Sequence, residues 1–292
     1  MADPLIAFLA RAEKLMDRIE SALPQGLSAP DWGASIAFRY RRRSSGQGII
    51  LPVQHVGAIS LDDLKEIEPQ KEQIYRNTEQ FVHGRPANNV LLTGARGTGK
   101  SSLIRACLHA FAGQGLRLIE VDKAELVDLP DIVDIVAERP EKFIVFCDDL
   151  SFDEGEPGYK VLKSVLDGSV AASTPNVLVY ATSNRRHLLP EYMAENLTYT
   201  HKQNGEVHPG EVIEEKISLS ERFGLWVSFY PFSQEEYLHI AEQWLQAYGF
   251  SPLQIASARS EALLWALERG SRSGRVAWQF ARDFAGRNPA TP

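Results

Sequence analysis

Asn88–Ala106 reads NNVLLTGARGTGKSSLIRA, and its residue types leave few physical readings open. Gly94-Ala95-Arg96-Gly97-Thr98-Gly99-Lys100-Ser101 fits the phosphate-loop spacing of Gly, four residues, Gly-Lys and a hydroxyl residue. Glycines there let successive backbone N–H groups turn inward around a triphosphate, which side chains would obstruct. Lys100 would reach the outer phosphates, Ser101 would ligate Mg²⁺, and the helix opening through Ser102 would aim its positive end at the same anion. Val90-Leu91-Leu92 reads as a short buried strand entering the loop. Leu103, Ile104, Cys107, Leu108 and Phe111 carry helical apolar spacing after it.

The surrounding chain bounds the setting. Its 292 residues suit one large or two ordinary domains. No apolar run approaches the ~20 residues of a membrane span, and the N-terminus lacks the marks of a signal peptide. A cytoplasmic protein without a membrane partner is therefore expected. The two cysteines, Cys107 and Cys147, are too few for a disulfide framework and read as buried packing residues. A net charge of −7 argues against wholesale coating of nucleic acid but leaves local basic patches open.

Upstream of the loop, residues 3–22 form an amphipathic helical pattern whose apolar stripe includes Leu5, Phe8, Leu9, Leu15, Met16 and Ile19. That face could pack on the main domain or on a partner. Phe38-Arg39-Tyr40-Arg41-Arg42-Arg43 could meet nucleic-acid phosphates, or could be a solvated or ion-paired strand edge. Ile49 to Ile59 looks like a short strand and turn. Residues 59–81 form a helix-rich lead-in, with Ser60 and Asp63 in a capping arrangement. Leu64, Ile67 and Gln70 there could flank an adenine base or be ordinary packing and surface residues.

Downstream, Leu116 to Val121 alternates as a second strand, and Asp131 to Glu138 reads as a short helix with its acids toward solvent. Phe143-Ile144-Val145-Phe146-Cys147-Asp148-Asp149 is an apolar run ending in two carboxylates, as expected of a strand buried in a parallel sheet. Ligands bind at the C-terminal ends of such strands. Asp148 would hold Mg²⁺, and Asp149 would orient or deprotonate an attacking water. Asn176 to Asn184 is the fourth strand. Asn184 could reach a γ-phosphate or the water, or simply form a turn. Trp226 to Phe232 supplies the fifth strand.

Ser233-Gln234-Glu235-Glu236 is a capping box that opens a helix through about Tyr248. Helical patterns at 260–268 and 274–285 follow. Trp244, Leu245, Leu263, Leu264, Trp265, Leu267, Val276, Trp278 and Phe280 are the candidate core of this all-helical lid. Residues 190–219, with His201 and His208, read as an irregular surface insertion rather than a metal site.

This order of parts resembles the AAA+ ATPases over about residues 60–285, and more narrowly a bacterial family of AAA+-like ATPases of unknown function. The resemblance implies a five-stranded parallel α/β phosphate-loop domain of strand order 5-1-4-3-2 with a C-terminal helical lid. The expected divisions are 1–58, 59–232 and 233–287. It also implies that Lys100 and Ser101 are the Walker A pair, Asp148 and Asp149 the Walker B acids, and Asn184 sensor 1. Ser220-Glu221-Arg222-Phe223-Gly224 is similar to the arginine-finger segment, so Arg222 would reach a neighbouring subunit's ATP in a homo-oligomer. Arg275, with Arg272 as runner-up, stands where sensor 2 does. ATP and Mg²⁺ are the implied cofactors, and a macromolecule, protein or DNA, the implied partner.

One departure concerns rate. Most AAA+ ATPases have Glu where this chain has Asp149, whose carboxylate stops ~1.3 Å shorter, and misplacement on that scale can cost on the order of a hundredfold. A slow ATP-dependent switch or scaffold is therefore the alternative to an active ATPase, with a small-molecule kinase as a third reading.

Overall fold

The computed structural model describes residues 8–9, 11–16, 18, 27–43, 46–152, 156–167, 174–184, 188, 200–201, 207–208 and 219–288. Among them the strands of the main sheet are β1 (Ala37–Arg42), β2 (Gly48–Pro52), β3 (Val90–Gly94), β4 (Leu116–Glu120), β5 (Lys142–Cys147), β6 (Val177–Ser183) and β7 (Leu225–Phe229). The helices are α1 (Glu68–Val82), α2 (Lys100–Phe111), α3 (Leu129–Val136), α4 (Pro157–Leu166), α5 (Gln234–Ala247), α6 (Pro252–Glu268) and α7 (Gly274–Arg287).

The sheet order is β2-β1-β4-β5-β6-β3-β7. The expectation of five strands in the order 5-1-4-3-2 is thus corrected to seven. The five strands foreseen lie side by side as β7-β3-β6-β5-β4, and β1 and β2 extend the sheet beyond β4. All neighbours run parallel except β1 and β2, which pair antiparallel. The edge strands are therefore β2 and β7, and the arginine-rich β1 lies inside the sheet.

Alternation explains how β1 tolerates its arginines. Phe38 and Tyr40 are buried. Arg39 pairs with Glu120 of the adjoining strand at 2.9 Å, and Arg42 pairs with Asp128. The ion-paired reading of this cluster therefore holds for those two residues, although β1 is not the edge strand.

A parallel sheet must be covered on both faces. One face packs α1 and α2 through Ile74, Phe81, Leu103, Ile104, Cys107, Leu108 and Phe111, in a core continuous with the C-terminal helices. The other packs α3 and α4 through Leu129, Ile132, Val136 and Leu162. Both cysteines are buried and free.

The expected capping boxes are present at Ser60 with Asp63 and at Ser233 with Glu236. A third, Ser251 with Gln254, starts α6 at Pro252, earlier than the periodicity suggested. Leu264 and Leu267, expected in the lid core, are 55% and 76% exposed. α6 instead turns Ile255, Ala258, Ala262 and Ala266 inward, and Tyr237 reaches the Ala262 carbonyl with a 3.0 Å hydrogen bond. Close approach of helices favours alanine over leucine at the contact, which moves it off Leu264 and Leu267, while the expected Leu263 and Trp265 still pack against the core. At the other end of the chain, the described residues among 8–18 are helical. Phe8, Leu9, Leu15 and Met16 are exposed there. Leu5 and Ile19 of that stripe lie outside the described residues, as does most of 190–219.

Candidate functional site

Parallel strands end at the same edge, so the register decides which side chains meet. Thr93 is level with Ser183, Gly94 with Phe229, and Cys147 with Ala181. The loop after β3, the acids after β5 and the amide after β6 therefore emerge together.

The loop itself depends on its glycines. Gly94, Gly97 and Gly99 have φ of 122°, 72° and 97°, values that residues with a Cβ rarely adopt. A Cβ on Gly94 would stand 1.9 Å from the Phe229 carbonyl oxygen, and one on Gly97 2.9 Å from Ser273 Cβ and Oγ. Ala95 N–H donates to that same Phe229 oxygen at 3.2 Å, and Thr98 Oγ1 to the Ala95 carbonyl at 2.8 Å. Arg96 is exposed and Ser102 half-buried in the first turn of α2.

Around this loop the polar side chains close into a ring. Lys100 Nζ donates to the carbonyls of Gly94 (2.8 Å) and Ala95 (2.7 Å) and to Asn184 Oδ1 (3.2 Å). Asn184 Nδ2 donates to Asp149 Oδ1 at 2.5 Å. Asp149 N–H donates to Thr182 Oγ1 at 2.9 Å, and that hydroxyl donates to Asp148 Oδ1 at 2.6 Å. Ser101 Oγ closes the ring on the same Asp148 oxygen at 2.6 Å.

Lys100 is 6% exposed. Burial pushes its ammonium down to about 8, opposed by the charges of Asp148 and Asp149 and assisted by Arg96. An anion arriving at the loop would restore the proton affinity that burial removes.

No group of three or more His, Cys, Asp or Glu side chains able to hold a metal occurs among the described residues. Ser101 with Asp148 is too small a donor set to cage Mg²⁺, but it is the kind of set that holds the ion when phosphates and waters complete the shell. The glycine cradle, the buried ammonium and this hydroxyl–carboxylate pair therefore fit a nucleotide with its Mg²⁺.

The other candidates are distributed unevenly. Arg275 begins α7 with its Cβ 3.4 Å from where a Gly97 Cβ would stand, beside the loop. Arg222 is not at this edge. It precedes β7, whose Leu225 is level with Val90 at the opposite end of β3, about 13 Å away at strand rise. There it pairs with Asp167 at 2.6 Å. Leu64 and Ile67 are buried, and their Cδ atoms lie 3.7 and 3.5 Å from a Cβ position on Gly99. Gln70 Nε2 donates to the Ser228 carbonyl at 3.1 Å, level with Thr93.

Two contacts were not foreseen as such. Thr182, within the fourth strand and given no role from the sequence, joins the two acids. Ser273 caps α7 by accepting from Val276 N–H at 3.3 Å, and Gly274 N–H donates to the Gly97 carbonyl at 2.9 Å. The Ser-Gly step after Arg272 was the available signal, since it combines an N-cap with a residue that permits close backbone approach.

The family model described as "Protein of unknown function (DUF815)" matches residues 33–288. The chain belongs to the DUF815 family. No curated protein matches this DUF815 member by sequence. Among solved structures, two point variants of RuvB from Thermotoga maritima each align at 16% identity and a TM-score of 0.52, covering 80% of this chain and 67% and 68% of theirs. Orc1 from Aeropyrum pernix, solved in complex with DNA, aligns at 17% identity and a TM-score of 0.49 over 80% of this chain and 62% of its own. At these identities the likeness to RuvB is one of fold. The DUF815 chain has an AAA+-like α/β fold with a helical C-terminal part.

Proposed function

We propose that this chain binds ATP with Mg²⁺ and hydrolyses it, and that nucleotide state moves the lid to drive a conformational or assembly change in a macromolecular partner, protein or DNA. The ring from Lys100 through Asn184, Asp149, Thr182 and Asp148 to Ser101 carries the reading, because it gathers at one sheet edge a phosphate-neutralising ammonium, a hydroxyl–carboxylate pair for Mg²⁺ and a carboxylate for the attacking water.

The roles follow from the atoms. Gly94 through Ser102 present backbone N–H groups and a helix start to phosphate oxygens. Lys100 exchanges neutral carbonyl partners for anionic ones. Ser101 and Asp148 hold Mg²⁺, which when bound neutralises charge developing on the phosphates. Asp149 accepts the proton of the attacking water or orients it, Asn184 holds that carboxylate, and Arg275 faces the phosphates from the lid. A cytoplasmic setting belongs to the same proposal.

Asp149→Asn, neutral and nearly isosteric, is expected to keep ATP affinity within a few-fold while lowering hydrolysis at least ~100-fold. Phosphate release with Mg²⁺ and with chelator, beside equilibrium binding of a fluorescent ATP analogue, measures both. Retained Mg²⁺-dependent binding with no single-turnover hydrolysis by the unaltered protein would move the reading to an ATP-dependent switch. The shortness of Asp149 and its engagement by Asn184 support that second reading.

Arg222 stands at the far end of the sheet from its own Lys100, so a role at a phosphate requires another copy of the chain. A homo-oligomer with Arg222 acting in trans is accordingly proposed. Mixing Arg222→Ala with Lys100→Ala protein should restore part of the activity that each lacks alone. Strict absence of complementation in a confirmed mixed oligomer would remove Arg222 from the site.

A further inference from the structure

Asp149 has φ of 51°, in the left-handed region, although it is not glycine. Aspartate tolerates this conformation better than most residues, and its occurrence at a site signals a constraint imposed by neighbours. Asn184 holds the Asp149 carboxylate, but the backbone contacts on either side of the turn come from a single residue. Thr182 Oγ1 accepts from Asp149 N–H at 2.9 Å, and the Thr182 carbonyl accepts from Leu150 N–H at 2.7 Å. The left-handed turn is thus bracketed on both sides by one residue of the next strand.

The same hydroxyl spends its only proton on Asp148 Oδ1 at 2.6 Å, beside the Ser101 hydroxyl on that oxygen. Thr182 is 2% exposed, so water does not readily substitute for it. One buried hydroxyl therefore fixes the orientation of the carboxylate assigned to Mg²⁺ and the backbone that aims the carboxylate assigned to water. Backbone rotation redirects a short side chain by more than the ~1.3 Å methylene it lacks, which makes the conformation of Asp149 as relevant to reach as its length.

We infer that Thr182 is a positioning residue that couples the Mg²⁺ ligand Asp148 to the water-directing Asp149 by holding Asp149 in its left-handed conformation. The inference rests on the ATPase reading and deepens it. Its expected signature is paired: loss at the metal and loss at the chemical step, from a residue that touches neither nucleotide nor water.

The test compares Thr182→Val, which keeps shape and β-branching but removes the hydroxyl, with Thr182→Ser, which keeps the hydroxyl. In the full chain, Thr182→Val is expected to raise about tenfold the Mg²⁺ concentration at which a fluorescent ATP analogue reaches half of its metal-dependent affinity gain. It should also lower kcat ~10–100-fold with KM for ATP within about threefold. Thr182→Ser should recover both to within about threefold. Thr182→Ala, leaving room for a water, replaces the valine variant if circular dichroism shows that protein unfolded, with the same direction of change expected. Valine protein within threefold of the unaltered chain on both measures, or serine protein as impaired as valine, overturns the inference while leaving the ATPase reading intact. Absence of Mg²⁺-dependent ATP binding by the unaltered chain overturns both.

Discussion

Lys100→Ala is expected to weaken ATP binding roughly a hundredfold, by removing a charge-assisted contact in a low-dielectric cradle, and to reduce turnover below detection. Stability should scarcely change, with a Tm shift of no more than about 3 °C. The ammonium is buried and held by three neutral oxygens, and removing it relieves the burial of a charge while leaving those oxygens at the mouth of the site.

A pH dependence separates this residue's role from a merely structural one. With its proton affinity pushed down to about 8 from an ordinary 10.5, Lys100 is mostly neutral in the free protein at pH 8.5 to 9. Bound phosphate raises the pKa again, so binding takes up a proton in that window. ATP affinity should hold below about pH 8 and fall as pH rises through it, by at most about tenfold per unit. The second ionisation of phosphate, near 6, is complete throughout that range and contributes no slope. Isothermal titration at pH 7.5 and 9 in buffers of different ionisation enthalpy should show this uptake in the unaltered protein and none in the residual binding of Lys100→Ala. An affinity flat with pH would show that burial does not lower the proton affinity of Lys100 in the free protein, leaving Lys100→Ala to decide its contact with phosphate.

Gly94→Ala is expected to destabilise the fold by at least about 3 kcal/mol, a fall in Tm of roughly 10 °C. The new Cβ would lie 1.9 Å from the Phe229 oxygen, 2.8 Å from its carbon and 3.0 Å from its nitrogen, all backbone atoms that cannot rotate aside. β7 would have to withdraw from β3, breaking the Ala95 bond to Phe229 and displacing the Tyr230-Pro231-Phe232 connection to α5. Gly115→Ala supplies the contrast. Its φ of 89° also lies in the positive, left-handed region that disfavours alanine, though less far from what alanine tolerates than 122°, and nothing stands within 4 Å of its Cβ position. It should cost only about 1–2 kcal/mol, so chemical denaturation of the two proteins separates collision from backbone strain.

How much of this was legible without coordinates differs by the range of the signal. The phosphate loop, the paired acids after Phe143–Cys147 and the polar end of β6 carry their chemistry in short stretches, and the register then brought them together. Ser60 announced a short 3-10 turn, Leu61–Asp63, and Ser233 the start of α5, because a cap is a local hydrogen bond. β1 was harder, because what makes Arg39 and Arg42 acceptable within a sheet is Glu120 and Asp128, some eighty residues away. The inward face of α6 was legible only in part: Leu263 and Trp265 pack against the core, but hydrophobicity ranks Leu264 above Ala262, whereas helix packing at close range ranks them the other way. Thr182 was visible as a residue but not as a junction, since its two partners belong to another strand's end.

The bond from Gly274 N–H to the Gly97 carbonyl makes the first turn of α7 and the phosphate loop neighbours through backbone rather than through exchangeable side chains. On the proposed ATPase reading, linkage would run both ways: a macromolecule that binds the C-terminal helices and alters ATP affinity by displacing this turn would have its own affinity altered by ATP by the same factor. A partner found through the lid could be ranked by titrating nucleotide alone, without a readout of what the pair accomplishes together.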